Sequence, residues 1–113
     1  MNTENERRRK PRIPIGWPAV LMTPQGPLRG VTEDISMDGI LILLSETIET
    51  NDELEIVIRL DKDQEMQITV KKIWSEKLLA NDSIYYEIGF RFTKISPSAH
   101  KIIASKVSEY YPI

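Results

Sequence analysis

Apolar side chains recur at every second position along much of this sequence, and this period of two restricts the fold more than any other feature. The alternation is regular in residues 53–60, whose apolar face is formed by Leu54, Ile56, Ile58 and Leu60. It returns in residues 66–70 and 84–92. Successive side chains of a β-strand point to opposite faces, so these segments predict strands that bury one face. We therefore expect a protein built mainly from antiparallel β-sheet.

Turn-forming residues separate six predicted strands, which cover about residues 15–23, 28–35, 40–44, 53–60, 66–70 and 84–92. Pro14 and Pro18 limit the first strand to a sheet edge or a bulged position, because proline has no N–H to donate to a ladder. Ile73 falls out of phase with the alternation before it, which predicts a bulge near Lys71 and Lys72. The third segment is apolar throughout and is expected to be the most buried. Six strands are enough to close a small barrel.

The period changes near the C-terminus, where one helical stripe is formed by Ala99, Ile102, Ile103, Val107 and Tyr110. Ser96 followed by Pro97 is typical of an N-cap and a first helical position. The sequence thus predicts an all-β fold with one helix. We expect a six-stranded antiparallel β-barrel and a C-terminal helix over about residues 96–111.

Residues 1–12 differ from the rest of the chain in charge and in hydrophobicity. They contain five basic and two acidic side chains, whereas residues 13–113 contain ten basic and fifteen acidic ones. A segment with so little apolar surface cannot offset the entropy cost of ordering, about 1–2 kcal/mol per residue for the backbone. We expect a flexible arginine-rich arm (1–12) and one barrel domain (13–113). The acidic body argues against a broad nucleic-acid-binding surface, but a small anion held mainly by the arm fits the pattern.

Residues suited to catalysis or metal binding are scarce. The sequence has no cysteine and one histidine, His100, which lies in the predicted helix. Zinc sites and disulfides are therefore not expected, and the acidic residues do not follow the spacing of a calcium-binding loop. The five glycines are dispersed, so the sequence has no glycine-rich phosphate-binding loop. We expect neither an enzyme nor a bound cofactor.

The longest apolar run, residues 40–44, is far shorter than the roughly 20 residues that a membrane-spanning helix needs. The basic N-terminal cluster leads into a proline-broken segment rather than the continuous apolar stretch of a secretory signal. These patterns predict a cytoplasmic protein without a membrane span.

Two short motifs contain the candidate binding residues. The first is Arg8-x-x-x-Arg12, preceded by Arg7. An arginine fork pairs at two points with phosphate oxygens or with the O6 and N7 edge of guanine, and it also stacks on purines. The alternative interpretation is a solvated basic tail that binds anionic lipid or RNA loosely.

The second motif is Asp34-x-Ser36-x-x-Gly39. The aspartate can accept hydrogen bonds from the N1 and N2 donors of a guanine, and the serine hydroxyl can pair with another polar edge. The glycine permits close approach at a bend. The alternative interpretation is an ordinary β-turn, because turns favour these three residue types.

The two motifs and a third segment together resemble a known family, the PilZ domain. The matching segments read ERRRKPRIPI at residues 6–15, DISMDGI at 34–40 and YEIGFRFTKIS at 86–96, and they span nearly the whole chain in the family's order. The resemblance implies a six-stranded antiparallel barrel with a C-terminal helix that acts as a bacterial receptor for the second messenger cyclic di-GMP. The ligand-binding residues that it implies are Arg8, Arg12, Asp34, Ser36 and Gly39.

Arg7 lies directly before the two-arginine motif, at a position that differs within the PilZ family. An arginine there tends to accompany binding of two stacked cyclic di-GMP molecules, whereas an apolar residue tends to accompany one. The resemblance therefore implies two stacked ligand molecules per chain. We expect the ligand to order the arm beside Asp34 and Ser36, creating a surface for a downstream protein partner in motility or biofilm regulation.

Two other functions are compatible with parts of the sequence. A small barrel that binds single-stranded nucleic acid would interleave exposed aromatic and basic residues, but the aromatic residues of the sixth strand mostly alternate inwards and the body is acidic. A PilZ-like module that contacts only proteins would have lost the motif arginines, and this chain keeps both. Both functions therefore rank below a cyclic di-GMP receptor.

Overall fold

The computed structural model describes residues 11–111, and within this range it contains seven strands and one helix. These elements are β1 (Ile13–Pro14), β2 (Pro18–Thr23), β3 (Gly26–Ile35), β4 (Gly39–Leu44), β5 (Leu54–Asp61), β6 (Gln64–Ala80), β7 (Ser83–Lys94) and α1 (Pro97–Tyr110).

Six of the strands close into a barrel. Along the sheet their order is β3-β2-β5-β6-β7-β4, and β3 also pairs with β4, which closes the ring. Every pairing is antiparallel. The predicted fold, a six-stranded antiparallel barrel with one C-terminal helix, is therefore confirmed.

The first predicted strand, residues 15–23, begins only at Pro18 in the structure, and a separate short strand, β1, precedes it. β1 pairs with the end of β3, β2 pairs with its earlier part, and residues 15–17 cross between them. The Thr32 hydroxyl holds this crossing, because it accepts from the Trp17 N–H at 2.8 Å and donates to the Ile15 carbonyl at 2.6 Å. The predicted start at residue 15 was wrong, since the prolines on either side of residues 15–17 cannot donate to a ladder.

β6 is much longer than the sequence predicted. The expected bulge is present, because the pairing of β6 with β7 shifts register between Lys72 and Trp74 and leaves Ile73 without a facing residue. β6 then continues to Ala80, which faces the first residue of β7. The polar run at residues 75–77 interrupts the alternation, and for this reason the last part of the strand was not predicted.

Asn81 and Asp82 connect β6 to β7. Both have positive φ angles, 51° and 63°. A two-residue hairpin turn with both residues in the left-handed region is of type I′, whose twist matches that of the flanking strands. Asn and Asp tolerate this region better than other residues with a side chain, so this dipeptide sets the register of the hairpin.

The core lies inside the barrel and beneath the helix. Its largest fully buried side chains are Phe90, Leu21, Ile35, Ile40, Ile42, Leu44, Ile56, Ile58, Ile68, Ile88, Ile103 and Val70. β4 has no exposed residue, whereas each of the other barrel strands has at least one. The third predicted strand is thus the most buried, as expected.

The helix α1 begins where the sequence predicted. The Ser96 hydroxyl accepts from the Ala99 N–H at 3.1 Å, and Pro97 occupies the first turn. Ala99 and Ile103 are the buried residues of the helix. Tyr110, predicted on the buried stripe, is exposed. The two fully buried residues lie in the first two turns of α1, and Val107 on the next turn packs against the core only in part.

Candidate ligand-binding site

Arg12 and Asp34 form an ion pair at the end of β3. The Nε and Nη2 atoms of Arg12 lie 2.9 Å and 2.8 Å from Asp34 Oδ1. The pairing of β1 with β3 causes this proximity, because it sets Pro14 opposite Asp34 two residues after the arginine. The arginine side chain is 46% exposed and the aspartate side chain 26%. The structure therefore brings one residue of each sequence motif into contact at a place that solvent reaches.

The C-terminal end of the described chain meets the same place. The Tyr111 hydroxyl donates to the Arg12 carbonyl at 2.9 Å, and the Tyr111 N–H donates to the Val107 carbonyl at the end of α1. The ring centroids of Tyr110 and Tyr111 lie 4.9 Å apart. The backbone of Arg12 is thus held by the helix end, while its side chain faces Asp34.

Ser36 is buried and its hydroxyl is used within the β3–β4 loop. It accepts from the N–H groups of Asp38 and Gly39, each at 3.2 Å, and lies 3.4 Å from the Gly39 carbonyl as a donor. The Ser36 N–H donates to the same carbonyl at 2.9 Å. Serine side chains stabilise turns by such local bonds. Ser36 therefore shapes the loop that follows Asp34.

Gly39 is required by a close approach of two strands. An ideal Cβ at this position would overlap the carbonyl oxygen of Phe90 on β7. Beside it, the Asp38 carbonyl accepts from the Phe92 N–H at 2.8 Å. Only glycine lets β4 begin this near to β7, so Gly39 places the loop rather than offering a side chain to a ligand.

A cavity of about 430 Å³ opens next to the ion pair. Its lining combines the arginine, the start of β4 and the middle of β6 and β7, and consists of Arg12, Asp38, Gly39, Leu41, Ile73, Trp74, Gly89, Phe90 and Arg91. Pockets of a few hundred Å³ with an apolar lining and a few polar groups are typical of small-molecule sites.

Trp74 is the lining residue that the sequence motifs did not include. It faces Gly89 in the register of β6 and β7, and an ideal Cβ on Gly89 would overlap the indole Nε1. Trp74 is nevertheless 43% exposed as a residue. A glycine inside a strand often marks the close approach of another group. Gly89 therefore indicated that another group lies close to this strand, but only the register of β6 and β7 shows that the group is Trp74.

The acidic residue Glu33 lies next to Asp34 on the same strand, β3. The pKa of Glu33 is raised from 4.5 to about 7, chiefly by burial, and also by a hydrogen bond with the Glu87 side chain and by repulsion from Glu87 and Asp34. Glu33 lies at a register shift of β3 and has no facing residue on β4. Its Oε1 atom is buried without a hydrogen-bond partner.

The structure describes four of the six predicted site residues. Arg12 and Asp34 are in contact, and Ser36 and Gly39 form the loop that follows them. Arg7 and Arg8 lie outside the described residues. Within residues 11–111, no group of three or more His, Cys, Asp or Glu side chains is placed to hold a metal ion.

No helix in the described part of the chain is long and apolar enough to cross a membrane.

The fold and the site define a small closed barrel whose N-terminal segment returns to a strand end beside a charged cavity. A family model described as the PilZ domain matches residues 6–109. The chain therefore belongs to the PilZ domain family, as its motifs indicated. Among curated protein sequences, none matches this chain significantly.

Solved structures with the same fold include three bacterial proteins. The PilZ domain with c-di-GMP of YcgR from Escherichia coli is 20% identical with a TM-score of 0.69, and the match covers 93% of this chain and 97% of that one. The K. pneumonia MrkH–c-di-GMP complex is 17% identical with a TM-score of 0.78, covering 93% and 52%. The Bacillus subtilis inhibitor of motility, MotI/DgrA, is 14% identical with a TM-score of 0.73, covering 93% and 51%. This chain thus spans about half the length of MrkH and MotI.

Proposed function

We propose that this chain is a receptor for cyclic di-GMP and not an enzyme. The observation that supports this best is the exposed Arg12–Asp34 ion pair beside a cavity lined by Trp74. Membership of the PilZ family, and a fold shared with YcgR and MrkH structures that contain c-di-GMP, indicate the ligand.

The three side chains complement different parts of a guanine nucleotide. Arg12 offers a planar fork that pairs with phosphate oxygens or with the O6 and N7 edge of the base. Asp34 accepts hydrogen bonds from the N1 and N2 donors of guanine. Trp74 offers an exposed aromatic face, and stacking of a base on such a face contributes about 1–3 kcal/mol. The ion pair itself is solvent-exposed and therefore worth about 1 kcal/mol or less, so exchanging it for ligand contacts costs little.

The arginines of the arm complete the proposed site. Arg7 and Arg8 contact the phosphates and guanine faces, and the arm becomes ordered beside Asp34 as the ligand binds. Ordering several residues costs about 1–2 kcal/mol each, which consumes part of the contact energy. A net affinity near micromolar, about −8 kcal/mol, is expected for this reason.

Ligand binding changes the surface of the receptor, and this change is the signal that it passes on. The ordered arm and two stacked ligand molecules cover the cavity, and a downstream protein partner recognises the result. A fold shared with a Bacillus subtilis inhibitor of motility makes motility a reasonable first output to examine. We place the protein in the cytoplasm, where the messenger is made and degraded.

Isothermal titration with cyclic di-GMP tests the proposal. Arg12→Ala and Asp34→Ala each remove charge-assisted hydrogen bonds, and each should weaken binding by roughly ten- to hundredfold. Arg59→Ala is the matched control, because Arg59 also forms an exposed ion pair, with Glu65 at 3.5 Å, but on the β5–β6 hairpin away from the cavity. Wild-type affinity in both site variants would show that the site lies elsewhere.

A second ligand tests the role of the base. Cyclic di-AMP has the same two phosphates, but its adenines lack the O6 acceptor and the N2 donor of guanine. We expect it to bind at least about tenfold more weakly, since unpaired polar groups in the site are costly. Equal affinity for the two ligands would mean that the chain recognises only the phosphates, as the loose basic tail would.

A further inference from the structure

The β6–β7 hairpin extends beyond the barrel. β6 pairs with β5 only as far as Val70, and β7 pairs with β4 only from Tyr86 onwards. β6 and β7 nevertheless stay paired up to Ala80 and Ser83. Residues 78–85 therefore form a two-stranded ribbon, here called the β6–β7 ribbon, and at its base residues 71–77 of β6 pair with β7 alone. Within the described chain, the edge of β6 that faces away from β7 has no strand neighbour along the ribbon.

The ribbon and its base are unusually apolar for an exposed structure. Eight large apolar side chains are exposed within residues 11–111, and four of them are here: Ile73, Trp74, Leu79 and Ile84. Leu79 is 77% exposed. A two-stranded ribbon is only marginally stable in water, and a free strand edge is a template for pairing with another strand. The ribbon therefore has the properties of a surface that pairs with a strand of another molecule.

Along the unpaired edge of β6, the order of apolar and polar residues is the same in both directions. Residues 73–79 are Ile, Trp, Ser, Glu, Lys, Leu and Leu, which is two apolar, three polar and two apolar positions centred on Glu76. Two identical strands that pair antiparallel are related by a two-fold axis, so residues equally far from the axis face each other. A symmetric polarity pattern is what such self-pairing requires.

We propose that two copies of this chain associate through antiparallel pairing of β6 with β6, with the two-fold axis at Glu76. Trp74 then faces Leu78 of the second copy, and Ile73 faces Leu79. The two ribbons become one four-stranded antiparallel sheet. This raises the strand number above that of an isolated hairpin and removes the free edge.

Neighbouring registers satisfy the side chains less well. With the axis at Ser75, Trp74 would face Glu76 and Ile73 would face Lys77. With the axis at Lys77, two lysines would face each other and Trp74 would face only an alanine. With the axis at Glu76, all four apolar positions find apolar partners. Its one unfavourable feature is a pair of facing glutamates, which weakens the association when both are ionised.

Sedimentation over a concentration series tests the association. The mass of the wild-type chain should rise from 13.0 kDa towards twice that value with increasing concentration. Leu79→Lys should keep the chain monomeric, and because Leu79 is exposed the fold should be unchanged by circular dichroism. Glu76→Gln should tighten the association by about two- to fivefold, because it removes the facing charges. A wild-type chain that is monomeric up to about 1 mM would overturn the proposal.

Disulfide trapping tests the register. The sequence has no cysteine, so single substitutions give an unambiguous result. Glu76→Cys places two thiols at the axis, where the Cα separation in an antiparallel pair suits a disulfide. Glu65→Cys is the matched control on an exposed position at the other end of the same strand. We expect at least a tenfold faster formation of covalent dimer from Glu76→Cys, and equal rates would exclude this register.

The proposed association and the proposed ligand site share Ile73 and Trp74, whereas Leu79 belongs to the association alone. Leu79→Lys should bind cyclic di-GMP with wild-type affinity, because Leu79 does not line the cavity. A dimer that persists unchanged in Leu79→Lys would show that another surface holds the two copies together.

Discussion

The indole of Trp74 occupies the space that a side chain on Gly89 would need. An ideal Cβ on Gly89 would overlap the indole Nε1 and lie 2.7 Å from Cε2. Because the two residues face each other across β6 and β7, the absence of a side chain at position 89 lets the indole settle against the strand and line the cavity. The close contact between Trp74 on β6 and Gly89 on β7 thus determines the position of the aromatic residue that lines the proposed site.

Gly89→Ala should displace Trp74 and weaken cyclic di-GMP binding by about tenfold or more, because base stacking on an aromatic face contributes about 1–3 kcal/mol. The added methyl group should also destabilise the fold by about 1–3 kcal/mol. Titration calorimetry and thermal unfolding measure the two effects. Gly16→Ala is the control, since a Cβ at Gly16 meets no atom within 4 Å. Unchanged binding by Gly89→Ala would show that Trp74 does not stack on the ligand.

Ser36→Ala should destabilise the protein even without ligand. The substitution removes the 3.2 Å acceptor of the Asp38 and Gly39 N–H groups, and the loss at the buried Gly39 costs about 1–3 kcal/mol. Chemical denaturation of the ligand-free protein measures this loss. Thr93→Ser keeps a hydroxyl that donates to a backbone carbonyl elsewhere and serves as a mild control. Full stability of Ser36→Ala, together with lost ligand binding, would instead make the serine a direct ligand contact.

Glu33→Gln should stabilise the protein progressively more as the pH rises. Burial and the neighbouring carboxylates raise the pKa of Glu33 from 4.5 to about 7. The unfolded chain therefore releases this proton at a lower pH than the folded protein does. The group supports folding below about pH 4.5, and this contribution is lost as the pH rises through 7. The neutral glutamine avoids that loss, which amounts to about 1–3 kcal/mol by pH 8.

Unfolding free energies of wild type and Glu33→Gln, measured at several pH values between 5 and 8.5, check this dependence. Glu65→Gln is the control, because Glu65 is exposed and its side chain contacts only Arg59 among the described ion pairs. Parallel curves for wild type and Glu33→Gln would mean that the Glu33 carboxyl is ionised at neutral pH in the folded state.

The sequence predicted the barrel because local patterns determine most of it. Alternation located the strands, and Ser96 with Pro97 located the start of the helix. The last part of β6 has no such alternation, so the ribbon depends on pairing with β7 rather than on its own pattern.

The two motifs predicted Arg12 and Asp34 as site residues, and β1 brings them together. Trp74 and Glu33 could not be assigned in the same way. Each lies at a register shift, where the alternation of faces changes by one residue. Strand pairing across the barrel determines which residues face Trp74 and Glu33. The sequence pattern does not show that pairing.

Arg7→Leu should change the stoichiometry of cyclic di-GMP binding from two molecules per chain to one. Two stacked ligands bring four phosphates together, and their repulsion must be offset by cations that reach both molecules. Arg7 lies outside the described residues, and its proposed role is to supply the charge and the planar fork for the second ligand. Calorimetry gives the number of bound ligands directly, and Arg7→Lys separates charge from geometry, since lysine keeps the charge without the fork. A wild-type ratio of one, or a ratio of two in Arg7→Leu, would show that Arg7 does not control the stacking of a second ligand.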